Sequence, residues 1–122
     1  MVKTILIVDD ESIVRTFLTN LLSGEGYKVV AATDGLDALA KIDATLPDLL
    51  ITDLAMPSCD GIDLVRTVRK SPEYRALPII MLSGSDAGSL LNALDAGANQ
   101  VLQKPVNTAE LLECVATWIE RQ

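Results

Sequence analysis

Three runs of consecutive apolar residues, Ile5-Leu6-Ile7-Val8, Leu49-Leu50-Ile51 and Ile79-Ile80-Met81-Leu82, restrict the fold of this chain more than any other feature. None alternates apolar with polar residues, so each suits a strand covered on both faces, as parallel strands are. Two further runs are more mixed and fit the edges of a sheet. The five predicted strands are Thr4 to Val8, Lys28 to Ala32, Asp48 to Thr52, Pro78 to Leu82 and Gln100 to Gln103.

Helical patterns fill the intervals. Ile13, Val14, Phe17, Leu18, Leu21 and Leu22 recur at helical spacing until Gly24 and Gly26 end the pattern. Leu36, Leu39 and Ile42 mark a second helix, opened by Asp34 with Asp37 three residues on and stopped by Pro47. Ile62, Leu64, Val65 and Val68 mark a third, with Arg69 and Lys70 near its C-terminus, where the helix dipole favours positive charge. Leu90, Leu91 and Leu94 define a fourth, closed by Gly97. The fifth opens at Asn107 with Glu110 in the capping-box position and carries Leu111, Leu112, Val115 and Ile119 as its apolar stripe, Trp118 lying at the stripe's edge. Strand followed by helix five times predicts an α/β fold, an open doubly wound parallel sheet with right-handed crossovers. At 122 residues the chain is one domain, residues 1–122, and the expected strand order is 2-1-3-4-5, the flavodoxin-like (βα)5 arrangement.

Composition narrows the chemistry. Seventeen acidic side chains against ten basic ones leave a net charge of −7, which repels a phosphate backbone and argues against direct nucleic-acid binding. There is no histidine, so Ser-His-Asp triads and His-based zinc sites are excluded. Cys59 and Cys114 show no CxxC spacing and read as two reduced thiols. No apolar run approaches the roughly 20 residues that span a bilayer, and the expectation is a soluble, cytoplasmic protein.

In sheets of this kind ligands bind beyond the carboxyl ends of the strands, at the point where strand order reverses. The predicted strands deliver Asp9-Asp10, Asp53, Ser83 and Lys104-Pro105 to that edge. Three close carboxylates repel one another, so either one is protonated or a cation sits among them. Oxygen donors with no nitrogen or sulfur suit Mg²⁺, which keeps several waters and takes substrate phosphate oxygens as well. A lysine and a hydroxyl at the same point fit phosphoryl oxygens, and a carboxylate there can act as a nucleophile.

These fragments, Ile5-Leu6-Ile7-Val8-Asp9-Asp10-Glu11, Pro47 to Pro57 with Asp60-Gly61, Pro78 to Ser83, Ala96-Gly97-Ala98 and Lys104-Pro105, resemble the receiver domain of two-component response regulators over the whole chain. The resemblance implies a phosphorylation-dependent signalling switch, not a classical enzyme, that takes a phosphoryl group on Asp53 from a histidine kinase or a histidine phosphotransfer protein. It implies Mg²⁺ held by Asp10, Asp53 and the backbone carbonyl of Ala55, with Asp9 acting through water. Ser83 takes the switch-hydroxyl role, Lys104 the phosphoryl-binding role, and the Lys104-Pro105 bond is expected to be cis. The fourth helix, fifth strand and fifth helix are the expected surface for a downstream protein target, with no direct nucleic-acid or membrane partner. The chain departs from the family at Val101, where similar domains carry Tyr or Phe, a ring that swings inward on activation. Transmission is then expected to run through the Ser83 to Ala87 loop and the fourth helix. Val101 also motivates an alternative, a constitutive protein-interaction module that keeps the fold without the switch. A small-substrate phosphatase lacks its DxD motif, and flavin binding is disfavoured by the acidic turn Asp9-Asp10-Glu11-Ser12.

Overall fold

The computed structural model describes residues 2–56, 60–84 and 87–120, with the backbone alone described for 87–90. In chain order the elements are β1 (Thr4–Val8), α1 (Ser12–Gly24), β2 (Lys28–Ala32), α2 (Gly35–Thr45), β3 (Leu49–Asp53), α3 (Gly61–Lys70), β4 (Ile79–Ser83), α4 (Ala87–Ala96), β5 (Gln100–Gln103) and α5 (Thr108–Ile119). All strand pairs are parallel and the order is β2-β1-β3-β4-β5, as expected, with the two mixed strands at the edges.

The consecutive apolar runs divide by parity, because successive side chains of a strand point to opposite faces. Leu6, Val8, Leu50, Ile79 and Met81 face one layer, where Ile42 of α2, Leu64, Val65 and Val68 of α3 and Ala93 of α4 cover them. Ile5, Ile7, Leu49, Ile51, Ile80 and Leu82 face the other, under Leu18 and Leu22 of α1 and Leu111, Val115 and Ile119 of α5. Side-chain caps start three helices as their sequences predict. Asp34 accepts from the Asp37 N–H at 2.8 Å, Asp60 from that of Asp63 at 2.9 Å and Asn107 from that of Glu110 at 2.9 Å.

Several expectations need correction. β3 and β4 each sit one residue further on than predicted, since Asp53 pairs in register with Leu82 and Ser83 with Gln103. The ladder itself therefore carries these two polar residues to the sheet edge. Asp48 instead turns its carboxylate to the Thr4 N–H, 2.8 Å away. Ile13 and Phe17 on α1, Leu36 on α2, and Leu91 and Leu94 on α4 are exposed rather than core. On α2 and α4 the fully buried positions include Ala38 and Ala93; small residues there let the helix lie close to the sheet and turn its leucines outward. α2 ends with Leu46 in the left-handed region at φ 49°, one residue before Pro47. Cys114 is free and buried, whereas Pro57, Cys59, Ser85 and the Leu90 side chain lie outside the described residues.

Arg69, near the C-terminus of α3, turns inward instead of out to solvent. It donates to the carbonyls of Leu77 at 2.7 Å, Gly97 at 3.0 Å and Arg75 at 3.1 Å, and to Asn99 Oδ1 at 2.9 Å. Asn99 Oδ1 also accepts the Ile79 N–H at 2.7 Å, so one guanidinium ties α3, the entry to β4 and the turn into β5 together.

Candidate functional site

Parity and register build the site. Val8 pairs with Thr52, so the next residues, Asp9 and Asp53, leave neighbouring strands at the same height. Asp9 follows Ile7 by two residues, Asp53 follows Ile51 and Lys104 follows Leu102, and all three apolar predecessors face the α1/α5 layer. The two acids and the lysine are thus aimed to the same side. Lys104 starts two strands away from β3, a gap of roughly 10 Å from strand spacing, which a long side chain crosses and a short one does not. Its Nζ lies 3.0 Å from Asp53 Oδ1 and 3.6 Å from Asp9 Oδ2. The Lys104-Pro105 peptide is cis, as expected.

Burial decides how strongly these charges act. Asp9 is 1% exposed, Asp53 6% and Ser83 3%, while Asp10 is exposed at the rim. Burial pushes the Asp9 carboxyl above its ordinary pKa; the Glu11 N–H and the Lys104 charge oppose this, and the charges of Asp53 and Asp10 add to it. For Lys104, desolvation favours the neutral amine, but the hydrogen bond and charge of Asp53, then the charge of Asp9, outweigh it and raise the pKa. Lys104 is therefore a firmly charged ammonium across the neutral range.

The two oxygens of Asp9 do different work. Oδ1 accepts the Glu11 N–H at 2.9 Å and so shapes the turn into α1. Oδ2 is buried and has no hydrogen-bond partner. One oxygen from each of Asp9, Asp10 and Asp53 lies within 4.8 Å of the others. An orphaned buried carboxylate oxygen in an all-oxygen cluster fits a hard divalent cation such as Mg²⁺. Ala55, two residues beyond Asp53, is exposed in the loop after β3. Ser83 ends β4, and its carbonyl accepts the Lys104 N–H at 2.8 Å, which fixes the lysine backbone to the serine.

The sequence reading does not foresee the supporting roles of three residues. Arg15 donates from its guanidinium to the Asp9 carbonyl at 2.8 Å; its signal was its place as the only charged side chain in α1. Thr52 donates from Oγ1 to the Asp53 carbonyl at 3.0 Å. Gly61 brings the start of α3 against the end of β3, its N–H donating to the Leu54 carbonyl at 2.8 Å. A Cβ on Gly61 would collide with the Asp53 carbonyl oxygen.

Comparison with known proteins bears on the family and the fold. A family model described as the response regulator receiver domain matches residues 5–116. The response regulator MprA of Mycobacterium avium is 40% identical over 118 residues, a span covering 96% of this chain and 51% of MprA. The chain thus spans about half or less of the length of such curated relatives. The chemotaxis protein CheY4 of Vibrio cholerae superposes with a TM-score of 0.91 at 32% identity, covering 97% of this chain and 99% of that one. The receiver domain of the sensor histidine kinase PA1611 of Pseudomonas aeruginosa, solved with a magnesium ion coordinated in its active-site cleft, superposes with a TM-score of 0.90 at 31% identity, covering 98% of this chain and 99% of that one.

Proposed function

Because the chain belongs to the response regulator receiver domain family of two-component systems, we propose that it is a phosphorylation-dependent switch whose phosphoacceptor is Asp53. The observation that carries the reading is the ammonium of Lys104 held 3.0 Å from the buried Asp53 carboxylate, beside the orphaned Oδ2 of Asp9. These 122 residues include no histidine, so the phosphohistidine donor lies outside them, on a histidine kinase or a histidine phosphotransfer protein. An Asp53 oxygen attacks phosphorus, the P–N bond breaks with its electron pair returning to the donor imidazole, and an acyl phosphate forms. Lys104 follows the negative charge from the carboxylate to the phosphoryl oxygens, and the Ser83 hydroxyl donates to one of them.

Mg²⁺ would be held by Asp10, Asp53 and the Ala55 carbonyl, with Asp9 acting through water; when bound, the ion offsets the negative charge of the phosphoryl oxygens. The domain is a signalling domain and not a classical enzyme, although these residues assist its own phosphorylation and dephosphorylation. No helix among the described residues is long and apolar enough to cross a membrane, and the reading sets the protein in the cytoplasm, with its downstream protein target on the face made by α4, β5 and α5. Val101, half-buried in β5, favours a second reading, a module that binds its partner regardless of phosphorylation.

Incubation with Mg²⁺ and a small acyl-phosphate donor should add one phosphoryl group by intact mass, and Asp53→Asn should abolish the addition. Mg²⁺ at ten times its Kd should stabilise the parent by about 1.4 kcal/mol, and Asp10→Asn should remove that shift. An unchanged mass for the parent protein refutes the phosphoacceptor assignment. Partner affinity that does not change with a beryllofluoride mimic favours the constitutive reading.

A further inference from the structure

Positive charge is distributed unevenly along this chain. After Arg75 the only basic residue before Arg121 is Lys104, and Lys104 is committed to Asp53 and Asp9. The face made by α4, β5 and α5 therefore has acids on its surface and no free cation among the described residues. Glu110, Glu113 and Thr117 follow at helical spacing on the exposed side of α5, and Asp95 is exposed on α4.

The same face carries exposed apolar side chains. Leu91 is 66% exposed and Leu94 43% exposed on α4. Between β5 and α5 runs an open groove of about 610 Å³ lined by Leu102, Glu110, Glu113 and Thr117 and bordered by Val101, whose side chain packs toward the α4 layer. Gln100, which also lines the groove, accepts the Trp118 indole N–H at its Oε1, 2.7 Å away. β5 is an edge strand, and α4 and α5 flank it from opposite layers of the sheet.

We propose that this face docks a basic amphipathic helix of the downstream partner, its apolar stripe against Leu91, Leu94 and Val101 and its lysines or arginines against Asp95, Glu110 and Glu113. A second copy of the chain fits poorly, because a two-fold interface sets a patch against itself. It would bring two copies of the same acidic surface together with no free cation among the described residues to pair them. Complementary charge steers the encounter and selects the partner, while the apolar side chains supply contact area. The inference rests on the switch reading only for the expectation that phosphorylation changes the affinity.

The test uses two synthetic helical peptides with the same apolar stripe, one flanked by lysines and one by glutamates, titrated against the whole protein by fluorescence polarisation. The basic peptide should bind at least about tenfold more tightly at low salt, and that advantage should shrink as salt screens it. Glu113→Lys should remove the preference, and Leu91→Ser, which removes exposed apolar surface without changing charge, should weaken binding of the basic peptide. Equal binding of the two peptides, a preference for the acidic one or binding of neither overturns the proposal. So does a dimer in the presence of a beryllofluoride mimic that Glu113→Lys disrupts. A preference for the basic peptide that the mimic leaves unchanged keeps the docking chemistry and counts against the switch alone.

Discussion

Gly61→Ala places a methyl group where the end of β3 and the start of α3 come closest. The added Cβ would collide with the Asp53 carbonyl oxygen and lie 3.0 Å from Leu54 Cα and 3.2 Å from the Asp53 carbonyl carbon. All three neighbours are backbone atoms, so no side chain can rotate out of the way. Overpacking of this kind costs about 1–3 kcal/mol, against which alanine returns at most about 1 kcal/mol of helix propensity. Because the overlap is with backbone the upper end of that cost applies, and a net loss of about 2 kcal/mol lowers Tm by roughly 6–12 °C in a domain of this size. If the helix relieves the overlap by sliding, the shift passes to the peptide that carries Asp53, and misplacing a reacting group by about 1 Å can cost a hundredfold in rate. Thermal unfolding and the initial rate of phosphorylation from a small acyl phosphate, read well below Tm, should therefore fall together. Gly24→Ala is the control, since nothing lies within 4 Å of its Cβ; it should leave the rate unchanged and stabilise by up to about 1 kcal/mol. A Gly61→Ala protein as stable and as fast as the parent refutes the reasoning.

Arg69→Met should cost about 2–4 kcal/mol in urea unfolding, because the carbonyls of Leu77, Gly97 and Arg75 lose a charged donor. Arg69→Lys should recover little of it, since one ammonium cannot reproduce the planar fork; full recovery by lysine argues against the clamp. The Thr33 N–H, with Lys41 adding to it, holds the Asp37 carboxyl below its ordinary pKa. The stability it contributes is present above the unfolded value near 3.9 and is lost as pH falls through the lower folded value. Asp37→Ala should thus be less stable than the parent by about 0.5 kcal/mol at pH 7, a difference that narrows as pH falls below the unfolded value, and an offset that keeps its full size in acid would rule this out. The hydrogen bond to Asp43 pushes the Tyr74 phenol up to about 12. That contribution is present below the ordinary tyrosine pKa and fades as pH rises toward 12; in a Tyr27→Phe background, Asp43→Ala should return the ultraviolet titration of Tyr74 toward 10, and no shift would remove Asp43 as the cause.

The sheet and the acidic edge were legible because they depend on signals that survive in one dimension. A strand between two helical layers must be apolar at both parities, so β1, β3 and β4 stand out without reference to their neighbours. Asp9, Asp53, Ser83 and Lys104 then follow as whatever comes at the strand tips, and the structure brings Asp9, Asp53 and Lys104 into contact. Helix faces were less legible. Ile13, Phe17, Leu91 and Leu94 fall on plausible apolar stripes, yet how far a helix is rotated depends on which position sits nearest the sheet, and at α4 that is Ala93. Arg69 was missed for a related reason. Its long apolar stem allows burial while the guanidinium finds backbone carbonyls that no local pattern reveals.

Asp9 shows how the fold and the proposed function compete for the same atoms. One of its oxygens secures the turn into α1, which lets β1 pass into a helix without a side-chain cap from Glu11. The other is buried without a hydrogen bond, 3.6 Å from an ammonium that lies closer to Asp53. A buried polar atom left unpaired in this way destabilises the folded chain unless something else satisfies it. Lys104 cannot serve both acids equally, and each step that draws it toward Asp53 leaves Asp9 more exposed to its own desolvation. A cation shared among Asp9, Asp10 and Asp53 would relieve Asp9 and free Lys104 at the same time. The ion that prepares the site for a phosphoryl group would then also be the one that stabilises the sheet edge carrying it.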